Sequence, residues 1–153
     1  MQFDNNGNLY PYQAIESNIQ SFELFFVKHF SHSKTRQRLF EEYIAYITEL
    51  QNNVCQHFYQ WLNGSFVTEK LHPADMDFVT FIDYQVYESK QYELQQFTNL
   101  SLKTQKGLDA YFVKVYPPDH VNRFITEFDT KEWQQAFGRN RKRESKGFIE
   151  LNF

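Results

Sequence analysis

The chain has 153 residues, a net charge of −3 and one cysteine, Cys55. A single domain of this length buries roughly 68–70% of the surface its unfolded form exposes, so a core forms without cross-links. A lone cysteine excludes an intrachain disulfide and a cysteine metal cluster, and the mild charge excludes an electrostatic case for a nucleic-acid or membrane partner.

The polar start MQFDNNGNLYPY lacks the basic-then-apolar order of a secretory signal. No apolar run approaches the roughly 20 residues of a membrane span, so a cytoplasmic protein is expected. Residues 1–14 read as a polar, turn-rich N-terminal extension, and residues 15–153 as the domain. Phe22, Leu24, Phe25, Phe26 and Phe30 predict a short helix from about Ile15 to Phe30, broken by SHSKT at Ser31 to Thr35. Leu39, Tyr43, Ile47, Leu50 and Val54 then recur every three or four residues, which is the clearest amphipathic helix in the chain. HFYQWL (His57 to Leu62) and DFVTFID (Asp77 to Asp83) read as strands. Glu88 to Lys106 is weakly helical, with Leu94, Phe97 and Leu100 as its apolar side and Gly107 as its C-cap. LDAYFVKVY, Leu108 to Tyr116, predicts a third strand that ends at Pro117-Pro118. Asp119 can cap a last helix carrying Val121, Phe124, Ile125, Phe128, Trp133 and Phe137, and FIELNF predicts a final strand. The fold class is α/β in the α+β sense: one small mixed sheet flanked by helices. The 17 Phe and 10 Tyr point to a core built from rings.

The segment GSFVTEKLHPADMDFVTFID, Gly64 to Asp83, carries the chemistry. Residues two apart on a strand face the same side, so Asp75 and Asp77 converge if pairing begins by Asp75. At about 4 Å two carboxylates repel by roughly 4 kcal/mol at an effective dielectric near 20, a cost that an Asn at either position would remove. A divalent cation is the natural reason to keep both. With no His or Cys cluster nearby, oxygen ligands favour Mg²⁺ or Mn²⁺ over zinc. Asp109, at the start of another predicted strand, can point to the same spot if the two strands are neighbours. Gly64 and Ser65 close the preceding strand, where a residue without a side chain lets the backbone approach a ligand and exposed N–H groups can hold phosphate oxygens. Asp83 shares this facing but lies too far along, at roughly 3.3 Å per residue, and reads as a strand-end turn residue.

Strand, Gly-Ser, loop, Asp-x-Asp strand, helix, and a strand with a single acid is an order of parts similar to the nucleotidyltransferase superfamily of the DNA polymerase beta fold. The resemblance runs from about Gln60 to Tyr116. Together WLNGSFVTEKLHPADMDFVTFID, LDAYFVKVYP and FGRNRKRESKGFIEL resemble an uncharacterised bacterial branch of it. The resemblance implies an enzyme that moves a nucleoside monophosphate from an NTP to an acceptor hydroxyl, on a protein, an RNA or a small molecule. It implies that Asp75, Asp77 and Asp109 hold the metal, that Asp109 helps to deprotonate the acceptor, and that Gly64 and Ser65 contact the β- and γ-phosphates. Lys70, and with it Thr68 or His72, would be in reach of the triphosphate. Small members of the superfamily often belong to toxin–antitoxin or defence pairs, which implies a protein partner; a partner or a homodimer would supply the wall that a second domain supplies elsewhere, with Trp133 and Phe137 as candidate contacts. The alternative is a module of the same lineage that binds a nucleotide or a partner without catalysis.

Arg139, Arg141, Lys142, Arg143 and Lys146 form a basic loop before the last strand. It reads either as a recruiter of phosphates or, as favoured here, as a solvated hairpin-like connection that discourages edge-to-edge association; without interleaved aromatics it indicates no base-stacking platform.

Overall fold

The computed structural model describes residues 1–153. The chain is mixed α+β, with a five-stranded mixed sheet and a two-stranded hairpin. The hairpin pairs β1 (Gln2–Phe3) with β2 (Leu9–Tyr10). There follow β3 (Ala14–Ser17), α1 (Ile19–Phe26), α2 (Arg36–Asn53), β4 (Tyr59–Asn63) and β5 (Met76–Asp83). The second half holds α3 (Tyr84–Ser89), α4 (Gln91–Leu94), β6 (Leu108–Val115), α5 (Arg123–Phe137) and β7 (Phe148–Asn152). The main sheet runs β3-β7-β4-β5-β6, parallel at its two outer pairs and antiparallel between. No helix is long and apolar enough to cross a membrane.

Strand alternation sorts the core into two layers. Leu62, Met76, Phe78, Ala110, Ile149 and Leu151 face one side, where Leu39, Tyr43, Ile47 and Leu50 of α2 and Phe22 and Phe26 of α1 cover them. Trp61, Val79, Phe81, Val113 and Phe148 face the other, under Phe137 and Trp133 of α5. The rings stack as the composition suggests, with Tyr43 and Tyr46 edge-on to Phe78. Asp77 shares the parity of Val79 and Phe81 and therefore faces the α5 side, whereas pairing begins at Met76, so Asp75 precedes the ladder and its facing is not set by strand alternation.

Four expectations change. The N-terminal residues are not a loose extension: Leu9 is fully buried, and Phe3 packs on Phe25, Phe26 and Phe30. Ala14–Ser17 is a strand along β7, not the start of a helix, because the last strand leaves an open edge that these residues complete. The stretch from Glu88 to Lys106 breaks into α3, α4, a 3₁₀ turn and the π-type turn Leu102–Lys106, with Leu94 and Phe97 buried but Leu100 exposed; Gly107 caps it in the left-handed region, φ 77°. Finally, α5 starts at Arg123 rather than after Asp119. It turns Trp133 and Phe137 inward and leaves Phe124 and Phe128 each 64% exposed. Thr126 sets that rotation: its hydroxyl accepts from the Tyr116 N–H and donates to the Lys114 carbonyl, so this polar residue faces the sheet.

Candidate functional site

Three neighbouring strands reach the same level at one end of the sheet. Asn63 closes β4 and pairs with Asp77 of β5, which pairs with Asp109 of β6. Paired residues on adjacent strands project to one face about 4.8 Å apart, so the register alone sets Asp77 beside Asp109. Asp75 lies one residue before β5 and lines the same cleft as Asp77. Asp83, at the far end of β5, is a turn residue as expected: its carboxylate caps α3 by accepting from Gln85 and Val86.

The chain leaves β4 through Gly64, whose φ is +74°. Its α-carbon lies against Asp77, so closely that a Cβ built there would stand 1.8 Å from Asp77 Oδ2. Both facts demand glycine: the left-handed backbone costs a β-carbon about 1–2 kcal/mol, and the carboxylate occupies its space. Gly64→Ala is expected to lower stability by about 2–4 kcal/mol, read by thermal unfolding. A variant melting with the wild type would mean that the turn is not held against Asp77. Next to it, the Ser65 hydroxyl is buried and has no hydrogen-bond partner.

Asp77 is partly buried, and its carboxylate accepts no hydrogen bond. Burial, then the charge of Asp75, then that of Asp109 push its pKa from 3.8 to about 6, against smaller opposing effects of Lys103 and Lys146. Lys146 was expected in a solvated loop. Instead it is only 3% exposed and donates from Nζ to the Gly64 carbonyl at 2.5 Å. Burial lowers its ammonium to about 8, while the charge of Asp77 works the other way. Its one sequence signal is position, since it directly precedes Gly147 and the last strand. Asp109 is held by the Lys103 ammonium, and no three His, Cys, Asp or Glu side chains converge at metal-ligating distance.

The loop after Gly64 is shaped by Arg36, a residue that belongs to none of the sequence motifs. Its guanidinium is fully buried with no carboxylate partner. It donates to the carbonyls of Phe26, Phe66, Thr68 and Lys70 at 2.7–2.8 Å and lies 3.9 Å from the centre of the Phe30 ring. Burial lowers its pKa to about 10. Thr68 closes the same turn, its hydroxyl donating to the Ser65 carbonyl. His72 is not free for a ligand through Nδ1, which accepts from the Lys34 N–H.

These elements enclose a cleft of about 1070 Å³ lined by Gly64, Ser65, Lys70, Asp75, Asp77 and Lys146, with Arg139, Arg141 and Lys142 along its rim. The basic loop is a hairpin-like connection: Arg139 bridges to Ser145, and Asn140 accepts from Lys142 and Glu144. Asn140 also donates to Asn8, tying the loop to the N-terminal hairpin. Asp109 does not line this cleft. It lines a second cavity of about 690 Å³ along β6, with Lys103, and only Tyr111 and Trp133 line both. The Asp77–Asp109 pair thus stands between a basic cleft and a polar-aromatic cavity.

No curated protein and no solved structure matches this chain. Over residues 1–152 it matches the profile of DUF6932, a family of unknown function, and it belongs to that family.

Proposed function

We propose that this protein is a metal-dependent nucleotidyltransferase that moves a nucleoside monophosphate from an NTP to an acceptor hydroxyl. The reading is carried by one observation: two carboxylates, Asp75 and Asp77, face a cleft that also holds the Gly64–Ser65 turn and a basic rim, with Asp109 in register on the next strand. A partly buried carboxylate that accepts no hydrogen bond and is raised by two neighbouring acids suits a cation better than a solvated surface. The donors are all oxygens, which fits Mg²⁺ or Mn²⁺; Mg²⁺ is commonly held by one or two carboxylates with substrate phosphates. Asp75 and Asp77 would hold the ion, which when bound neutralises phosphate charge, and Asp109 would join them once Lys103, whose side chain is half exposed, releases it.

In the proposed reaction the acceptor oxygen attacks the α-phosphorus, the bond to the β-phosphate breaks, and pyrophosphate leaves. The hydroxyl proton passes to Asp109. Gly64 and Ser65 bring the backbone of the turn to the β- and γ-phosphates, with Lys70 and the rim arginines neutralising the tail. Lys146 holds the turn from below through the Gly64 carbonyl. Its partners on this reading are an NTP and an acceptor.

A second reading, a nucleotide- or partner-binding module without catalysis, is favoured by the Lys103–Asp109 pair, which occupies the third carboxylate. Incubation with each radiolabelled NTP, Mg²⁺ or Mn²⁺ and a host lysate separates the two. Label on one macromolecule, lost in Asp75→Asn, is the expected result. Nucleotide binding without label on any acceptor would favour the second reading, and equal labelling by Asp75→Asn would sink the first.

A further inference from the structure

β6 is the end of the sheet and is eight residues long, with no proline, no bulge and one lysine, Lys114. Exposed strand edges of this length template further strands unless they are blunted or covered. The ladder to β5 opens with the Met76 N–H donating to the Gly107 carbonyl, and the register continues unbroken to Asp83 and Val115. In a parallel pair, residues alternate in the direction of their backbone groups. Asp109, Tyr111 and Val113 therefore turn theirs to β5, while Leu108, Ala110 and Phe112 turn theirs outward. No loop or side-chain group takes up those of Leu108, Ala110 or Phe112, whereas the Lys114 carbonyl is taken by Thr126. The unpaired edge borders the cavity of about 690 Å³ that Gln95, Asn99 and Leu100 also line; Phe112 is half-buried there, while Leu108 and Ala110 are 1% and 7% exposed.

An extended polypeptide is the ligand whose donors and acceptors match such a row, and the sheet dictates where its side chains go. A residue of an added strand opposite Asp109 would project to the same face as Asp109 and Asp77, about 4.8 Å from Asp109. The Tyr111–Trp133 ring pair, 4.8 Å between centroids, stands beside that position.

We infer that the free edge of β6 docks an extended segment of a protein acceptor as a sixth strand, presenting a Ser, Thr or Tyr hydroxyl to Asp109. The chemistry rests on the proposed nucleotidyl transfer; the docking does not. When both hold, the hydroxyl oxygen bonds to the α-phosphorus, its proton goes to Asp109, pyrophosphate departs, and the product is a nucleotidylated side chain.

The test is amide hydrogen exchange on the full chain, without nucleotide, with a degenerate pool of acetylated nine-residue peptides bearing a central Ser, Thr or Tyr. The Ala110 and Phe112 amides are expected to slow by about tenfold or more, with little change at Asp109, Tyr111 and Val113, which the ladder already protects. Ala110→Pro removes an outward N–H without cutting the ladder and should abolish that protection; because Ala110 packs in the core, Leu100→Arg on the exposed opposite wall serves as a second variant and should weaken it several-fold. No protection by any peptide would overturn the inference, as would edge protection that rises with protein concentration alone, the mark of a second copy. Transfer to RNA or a small molecule with the edge unprotected would overturn it and leave the proposed function standing. Edge protection without any NTP-dependent labelling of bound peptide would support the docking and overturn the presentation of its hydroxyl to Asp109, without bearing on transfer to RNA or a small molecule.

Discussion

Arg36→Met is expected to cost about 3–5 kcal/mol of stability, a large share of the roughly 5–15 kcal/mol of an ordinary domain. Four carbonyls lose a charged donor together, two of them in fully buried hydrogen bonds. A hydrogen bond to a charged group contributes about 1.5–3 kcal/mol, and a buried acceptor left unsatisfied costs about 1–3. The sum overshoots, because Thr68 and Lys70 lie nearer the surface and their carbonyls can turn to water. The methionine keeps the packing against Phe30 and Phe66 but not the planar fork. Arg36→Lys should recover only part of the loss, since an ammonium has three donors and no fixed plane. Chemical denaturation of both variants reads the effect directly. The loop should also loosen, so exchange at Val67 and Glu69 is expected to quicken before global unfolding. A Met variant within 1 kcal/mol of the wild type would mean that the loop is held by other contacts.

Asp77→Asn is expected to lower nucleotidyl transfer on the order of 10³-fold or more while raising stability. The first effect follows from removing a ligand of an ion worth several kcal/mol to the transition state. The second follows from the environment of the carboxylate. In the folded chain its pKa is about 6 against 3.8 unfolded, chiefly through burial and then the charges of Asp75 and Asp109. A folded pKa above the unfolded one means that the folded state binds the proton more tightly. Wild-type stability therefore falls as pH rises from about 4 to about 6, and the loss is complete above that. At 1.36 kcal/mol per unit the shift corresponds to about 3 kcal/mol, and partial exposure reduces this to about 1–2. The neutral amide escapes the penalty, so the variant should exceed the wild type by about 1–2 kcal/mol at pH 7.5 and match it below pH 4. Adding Mg²⁺ should raise the melting temperature of the wild type alone. Loss of transfer together with loss of stability at pH 7.5 would point to a structural carboxylate instead. Preserved transfer would remove Asp77 from the reaction.

The local pattern was enough to locate β4, β5, β6, β7 and α2, because a period of two or of 3.6 kept up over five or more residues has few competing readings. It also marked the Gly64 turn and the spacing of Asp75 and Asp77, since a positive φ and a strand's alternation are properties of neighbouring residues. What tertiary structure decided are the relations between distant segments. That Asp109 stands beside Asp77 depends on β6 choosing β5 as its neighbour, which no local pattern encodes. β3 is four residues long and becomes a strand only because β7 offers it an edge. The face that α5 buries was set by Thr126 and two backbone groups, against the pull of Phe124 and Phe128.

Arg36 and Lys146 make the same point for charge. A cation in the first turn of a helix opposes the helix dipole, and that mismatch was the one hint that Arg36 serves something beyond α2. Lys146 looked like the last charge of a solvated loop, yet the return of the chain into the sheet carries its ammonium under Gly64. Side-chain type and spacing fix what a residue is able to do. Burial, register and the partners brought in from elsewhere in the chain decide which of those things it does.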